Sequence, residues 1–295
     1  MIDKLDYFIA LAAERHFGRA AERLGVTQPT LSAGIRQLEE RLGVTLVNRG
    51  SRFQGLTEEG ARVLGWARRI VGDVRTMQDE IRAVRLGLSG HLRIAAIPTA
   101  LAVVSRLTTP FFEKHPGVTF EIQSRTSSEI VTGLEDFAID LGITYLDDDR
   151  LARLDTVALY EERYCLVTTA GNPFAEEARV TWAQAASIPL CLLSATMQNR
   201  KILNGLLGRV GTPFRTVLES NSMIALIAHV RTGRFATIMP FRSAEILGLG
   251  EPMRAIPITE PDASYTIGLA GARRNPRPPL IDAFWKEAAS AELER

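Results

Sequence analysis

Gln28, Thr30, Ser32 and Arg36 set an amide, two hydroxyls and a guanidinium on or near the outer face of one helix, with Pro29 beside them at its start. Amide and guanidinium groups can each make paired hydrogen bonds to a base edge, and hydroxyls serve as donor or acceptor. The set is therefore suited to reading a DNA major groove. Arg49 and Arg52 follow in the turn Asn48-Arg49-Gly50-Ser51-Arg52, poised for the phosphate backbone or the adjacent minor groove. A second group lies further along the chain. Thr99 and Ala100, then Thr126, Ser127 and Ser128, then Gln198, Asn199 and Asn221 fall where strands give way to helices. Hydroxyls, amides and the free N–H groups of helix starts favour anions. With Arg125 the nearest cation and no cluster of carboxylates, these corners suit a small, polar, anionic effector.

The elements that must hold these groups are legible in the spacing. Ala20, Ala21 and Leu24 repeat at helical intervals, and small alanines let a second helix cross close by. Gly25 supplies a stop, Thr27 an N-cap, and Pro29 lacks an N–H that would go unpaired in a first turn anyway. The second helix should run from about Gln28 to Leu42, burying Leu31, Ile35, Leu38 and Leu42. A short polar helix start braced by a preceding helix is the geometry that enters a major groove. Gly43 to Leu56 reads as a strand, a cationic turn and a return strand. From Thr57 to about Leu86 the chain has no proline and an apolar stripe from Val63 to Val84. Such a helix spans roughly 45 Å and would be unstable alone, so it needs a partner.

Gly87-Leu88-Ser89-Gly90 reads as a hinge. Beyond it, strands and helices alternate, which implies a mainly parallel sheet covered by helices, with a crossing near Leu159 to Thr168 into a second α/β lobe. Tyr265 to Ala270 should return to the first lobe, and Pro279 to Leu293 should close it as an amphipathic helix.

From Leu5 to Thr57 the chain resembles the winged helix-turn-helix of LysR-type transcriptional regulators. The likeness lies in Phe8, Phe17, Ala20-Ala21, Leu24, Thr27-Gln28-Pro29, Leu31-Ser32, Ile35, Leu38-Glu39, Leu42-Gly43 and Leu46, with Arg49-Gly50, Leu56-Thr57 and Gly60 beyond. The resemblance implies an α/β protein. Residues 1–58 would be a winged helix-turn-helix, 59–90 a dimerising linker helix and hinge, and 91–295 a two-lobed, periplasmic-binding-protein-like effector domain. Lobe I would take about 91–161 and 266–295, lobe II about 162–265. It further implies a dimer of dimers on promoter DNA with an interrupted inverted repeat, no cofactor beyond a small-molecule effector, and RNA polymerase as a partner if the protein activates. The effector half is similar, in Ile97-Pro98-Thr99-Ala100, Arg125-Thr126-Ser127-Ser128 and Gln198-Asn199-Arg200, to regulators placed beside formate dehydrogenase operons, which implies formate as effector. One departure bears on specificity. Where many relatives carry arginine or a long polar residue after the recognition-helix serine, this chain has Ala33-Gly34, so base reading falls on the residues around them.

Composition supports these expectations. Net charge is +1, so any DNA contact must be local; residues 1–90 carry 14 Lys and Arg against 11 Asp and Glu, and the remainder 21 against 23. No apolar run approaches a membrane span, and Met1-Ile2-Asp3-Lys4-Leu5-Asp6 does not read as a secretion signal, so a cytoplasmic protein is expected. His16, His91, His115 and His229 are scattered, with no nucleophile elbow and no metal-ligand spacing, which argues against an enzyme. A free solute-binding protein would not begin with a helix-turn-helix. Cys165 and Cys191 each sit in apolar runs that read as buried strands, where thiols are inert. A redox-sensing regulator of the same family remains the alternative, although its peroxide-sensing members place their cysteines close together in a loop. Activation or repression stays open.

Overall fold

A computed structural model describes residues 1–48, 53–86, 88–211, 213–274, 276–291 and 293, with the side chains at 75, 79, 80 and 82–86 set aside. The chain forms two compact units, one of Met1–Ser89 with Thr132–Ile139 and one of Gly90–Val131 with Asp140–Arg295.

The first unit is built on helices α1 (Ile2–Glu14), α2 (Phe17–Arg23), α3 (Gln28–Leu42) and α4 (Glu58–Leu86). Leu5, Phe8 and Leu11 of α1 meet Ala20 and Ala21 of α2 and Leu31, Ile35 and Leu38 of α3 in one core, which Ala67 and Val71 of α4 complete. Caps fix the boundaries. The His16 Nδ1 accepts the N–H groups of Gly18 and Arg19 at the start of α2, and Thr27 Oγ1 accepts that of Thr30 at the start of α3. Between them Gly25 stands at φ +65°, a conformation that would strain any residue with a side chain. The expected strand, turn and return strand after α3 reduce to a bridge between Val47 and Leu56, with Asn48 N–H bonded to Gly55 O at 3.0 Å. Two bridging residues leave too little ladder for regular strands. The intervening turn, with Arg49 and Arg52, lies outside the described residues.

The second unit holds β1 (Ser89–Ala96), α5 (Leu101–Lys114), β2 (Gly117–Ser124), α6 (Ser127–Glu135), β3 (Leu141–Tyr145), β4 (Leu154–Glu162) and β5 (Tyr164–Thr169). There follow β6 (Val180–Thr181), α7 (Trp182–Ala186), β7 (Leu190–Leu193), α8 (Gln198–Arg209), β8 (Thr216–Ser220) and α9 (Met223–Val230). The unit ends with β9 (Thr237–Pro240), α10 (Phe241–Ile246), β10 (Met253–Thr259), β11 (Tyr265–Ala272) and α11 (Pro279–Ser290). One lobe is the sheet β2-β1-β3-β11-β4; the other contains β6-β10-β5-β9 and the pair β7-β8, joined by a bridge from Leu190 to Ala236. The chain passes between lobes at Glu162-Arg163-Tyr164 and again between β10 and β11.

Two expectations need correction. The sheets are mixed: β1 and β3 run parallel, but β11 runs antiparallel to both β3 and β4, as β5 does to β9 and β10. A chain that crosses between lobes twice must bring strands back in the opposite sense, which a simple strand-helix alternation does not reveal. Ser89 and Gly90, read as hinge, are instead the first residues of β1, and Gly87 lies outside the described residues. Among the described residues, no helix is long and apolar enough to cross a membrane.

Candidate functional site

In the helical unit, the residues expected to read DNA lie at the start of α3. Gln28, Pro29, Thr30 and Arg36 are exposed and Ser32 is half-buried. Thr30 is committed in part, its Oγ1 lying 2.8 Å from that of Thr27. Arg19 and Arg23 turn back to Glu14, the first to its carbonyl at 2.7 Å and the second to its carboxylate at 3.1 Å, which fastens α2 to α1.

The Ala33-Gly34 departure has a local cause. A Cβ on Gly34 would stand 2.5 Å from Tyr7 Cδ2, so the ring of Tyr7 on α1 occupies the space a side chain would need. Close approach of α1 thus fixes the small residue, while Ala33 stays half-buried at the margin. Sequence reasoning registered the glycine but not its partner on α1, Tyr7.

On the inner side of α3, Glu39 is buried and its Oε1 accepts the backbone N–H groups of Leu46 at 2.8 Å and Val47 at 3.3 Å. Leu46 O in turn accepts the N–H of Thr57 at 3.1 Å. Thr57 Oγ1 donates to Thr45 O at 2.6 Å and caps α4 by accepting the Gly60 N–H at 2.8 Å. Helix α3, the following bridge and the start of α4 are therefore one hydrogen-bonded knot. Such charge-assisted bonds to backbone donors are the stronger class.

The apolar residues of α4 divide into two faces. Ala67 and Val71 pack into the domain core with half-buried Val63 and Leu64, whereas Trp66, Ile70, Met77 and Ile81 are exposed; the side chain of Val84 is not among those described.

In the two-lobed unit a cavity of about 810 Å³ opens between the lobes. Three expected residues line it: Thr99 after β1, Thr126 after β2 and Asn221 before α9. The others are placed differently. Ala100 is buried in the start of α5. Ser127 is buried and its hydroxyl accepts from Thr144 Oγ1 at 3.0 Å. Asn199 is buried and donates to Tyr145 Oη at 3.2 Å. Ser128 is exposed and Gln198 half-buried, and neither lines the cavity. A helix start exposes residues around its whole first turn, and only the tertiary fold decides which of them face the cleft.

Thr126 proves to be a reciprocal cap. Its N–H and Oγ1 both donate to Glu129 Oε2 at 2.8 Å, while the Glu129 N–H points back to Thr126 Oγ1 at 3.3 Å. The backbone bond from Thr126 holds the Glu129 carboxyl below its ordinary range, so a negative charge already sits at this corner of the cleft. Helices α5 and α8 begin without any side-chain cap, at Ala100 and Met197, beside cavity residues Thr99, Ser194 and Thr196. Thr99 Oγ1 is buried with no hydrogen-bond partner among the described residues. Met223, Ile224 and Leu247 add an apolar wall, and Ser243 of α10 reaches across to Thr99 O at 2.5 Å. Arg200, the cation nearest α8's start in sequence, is buried and spent on Leu193 O, Glu219, Asn204 and Thr216.

Cys165 and Cys191 are both buried, on β5 and β7, and burial pushes both thiols up. Cys165 Sγ donates to Met239 O at 3.4 Å. Among the described residues no cluster of His, Cys, Asp or Glu could hold a metal ion.

Residues 2–61 match the bacterial regulatory helix-turn-helix protein, lysR family, and residues 85–292 match the LysR substrate binding domain. The chain is 30% identical over 284 residues to the HTH-type transcriptional regulator IlvR of Caulobacter vibrioides, covering 95% of this chain and 94% of that protein. It is 28% identical over 269 residues to the DNA-binding transcriptional dual regulator OxyR of Escherichia coli, covering 91% and 88%. A solved full-length OxyR variant from Pseudomonas aeruginosa shares 25% identity and a TM-score of 0.78, covering 100% of this chain and 96% of that one. Full-length CbnR complexed with its target DNA has a TM-score of 0.70 at 24% identity over 98% of each chain, a likeness of fold.

Proposed function

The chain belongs to the LysR family of transcriptional regulators, and on that premise we propose that it binds an interrupted inverted repeat as a dimer of dimers and answers to an anionic metabolite held between its lobes. It is a DNA-binding regulator and not an enzyme.

The DNA half of the reading rests on the exposed start of α3 with Gln28, Ser32 and Arg36 in line. A symmetric dimer must meet a symmetric site. Gln28→Ala or Ser32→Ala should narrow the gap between operator and random DNA by about 1–3 kcal/mol. Changes at Arg49 or Arg52 should weaken all sequences alike and flatten the salt dependence. Binding titrations on both DNAs across salt check this; equal losses on both for Gln28→Ala would remove base reading from that residue.

The effector half is carried by one observation: two uncapped helix starts and the unpartnered Thr99 hydroxyl converge on one cavity. Formate would engage one corner of about 810 Å³, a volume typical of sites for larger metabolites. The wall of Met223, Ile224 and Leu247 favours an anion with an apolar body. Thr99→Val keeps the shape and removes a hydroxyl that the free protein leaves unpaired. It should weaken carboxylate binding by about 1–3 kcal/mol while leaving the free protein as stable or more so. Calorimetric titration with formate and with longer, branched carboxylates, alongside thermal melts, measures both. Unchanged affinity with lowered stability would place the site elsewhere. The redox alternative draws no support from two buried, weakly acidic thiols on separate strands.

A further inference from the structure

Glu162 ends β4, with Arg163 alone between it and β5, so it lies at the first crossing between lobes, and it is fully buried. Its Oε1 accepts two phenolic hydroxyls, from Tyr145 at 2.5 Å and Tyr164 at 2.9 Å. Tyr145 belongs to β3 of one lobe's sheet and Tyr164 to β5 of the other's. Asn199 at the start of α8 donates to Tyr145 Oη, which makes a relay from Asn199 through Tyr145 to Glu162. Tyr265, at the second crossing, meets the rings of both tyrosines edge-on with centroids 6.3 Å away. The other carboxyl oxygen, Oε2, is buried and completes no hydrogen bond among the described residues; the same holds for Thr99 Oγ1, which neighbours it, and Thr99 is a lining residue of the cavity.

We infer that Glu162 is a proton-operated latch between the lobes, fastened while its carboxyl is neutral and released when it ionises. Two tyrosines satisfy one oxygen whatever the protonation state. A neutral carboxyl sits in this cluster without a buried charge. An ionised one is a buried charge with no cation among its hydrogen-bond partners, and parting the lobes lets water reach it. Burial pushes this carboxyl up to about 7, against the pull of the hydrogen bonds from Tyr145 and Tyr164. The surrounding ionisable groups do not compete in this range. Burial, with the Glu162 charge, raises Tyr145, Tyr160 and Tyr164 above the usual phenol value, and Arg242 stands 5.5 Å over the Tyr160 ring. If the cavity takes an anion, as proposed above, the added negative charge draws a solvent proton onto Glu162 and fastens the latch.

The test needs no effector. Phe112→Cys and Arg209→Cys place exposed thiols on α5 and α8, one per lobe, and the two native cysteines are buried from labelling reagents. Distances between spin labels in the full chain, diluted with unlabelled chain so that pairs within one protomer are read, are followed from about pH 5 to about pH 9. The separation should lengthen with a midpoint near the ionisation of Glu162, and Glu162→Gln should hold the short separation at every pH. A pH-independent separation in the chain with native Glu162 overturns the latch, as does a Glu162→Gln variant that still lengthens. Formate and isovalerate, titrated above about pH 6 where both are anions, should raise the midpoint and bind about tenfold more weakly per pH unit between the free and the bound midpoints. A midpoint that exists but that neither anion moves removes the effector reading of the cleft and leaves the latch standing.

Discussion

Aspartate in place of Ile70 should convert the protein to monomers and lower operator affinity by at least about 100-fold, the scale of advantage that joining two half-site contacts confers. Ile70 shares an exposed face of α4 with Trp66, Met77 and Ile81, while the neighbouring face, with Ala67 and Val71, is sealed in the helical core. A contiguous apolar face of this kind on a helix of 29 residues is a partner surface. Because Ile70 contributes nothing to the core of its own protomer, the change should barely alter folding of the monomer. Association and DNA binding should therefore fall together while circular dichroism stays unchanged. Sedimentation with operator titrations checks it, and tight operator binding by monomers would refute the dimeric reading of α4.

Gly60→Ala should be the most damaging small substitution in the helical unit. The added Cβ would fall on the carbonyl oxygen of Leu46, well inside contact distance, and a backbone oxygen cannot rotate away as a side chain can. That same oxygen accepts the Thr57 N–H, so relief means breaking the knot that ties α3 to α4. Overpacking against fixed backbone costs about 1–3 kcal/mol, and loss of the Thr57 cap about 1 more. Thermal melts should show the loss; a Gly60→Ala protein as stable as its parent would mean that α4 starts elsewhere. Gly65, one turn further and open on all sides, is the control position where alanine should be tolerated.

How far the sequence disclosed this follows from which signals are local. The start of α3 is written in neighbouring residues, Thr27 as cap and Pro29 in the first turn, and the structure has it at Gln28. Strand runs such as Leu190–Leu193 and Tyr265–Ala272 announced themselves by apolar continuity. The short elements β6, α7 and α10 did not, since two to six residues carry no period, although Thr181 and Gln184 form a capping box that marks α7. Glu162 was hidden for another reason. In Tyr160-Glu161-Glu162-Arg163-Tyr164 the sequence offers two adjacent carboxylates, and alternation along a strand buries one and exposes the other without saying which. In the cleft, hydroxyls that cap helices and hydroxyls that await a ligand have identical signatures. Thr126 was of the first kind, Ser127 was paired with Thr144, and Thr99 was neither.

The ring of Tyr7 over Gly34 bears on any attempt to redirect this protein to a different operator. Transplanting a whole α3 that carries a side chain at position 34 would wedge α1 away from α3. A successful graft has to be a double exchange in which position 7 shrinks as position 34 grows. Ala33, at the half-buried margin, can be altered singly. Under the proposed reading, operator choice in this chain is thus inherited jointly by two helices, of which α3 alone would meet the DNA.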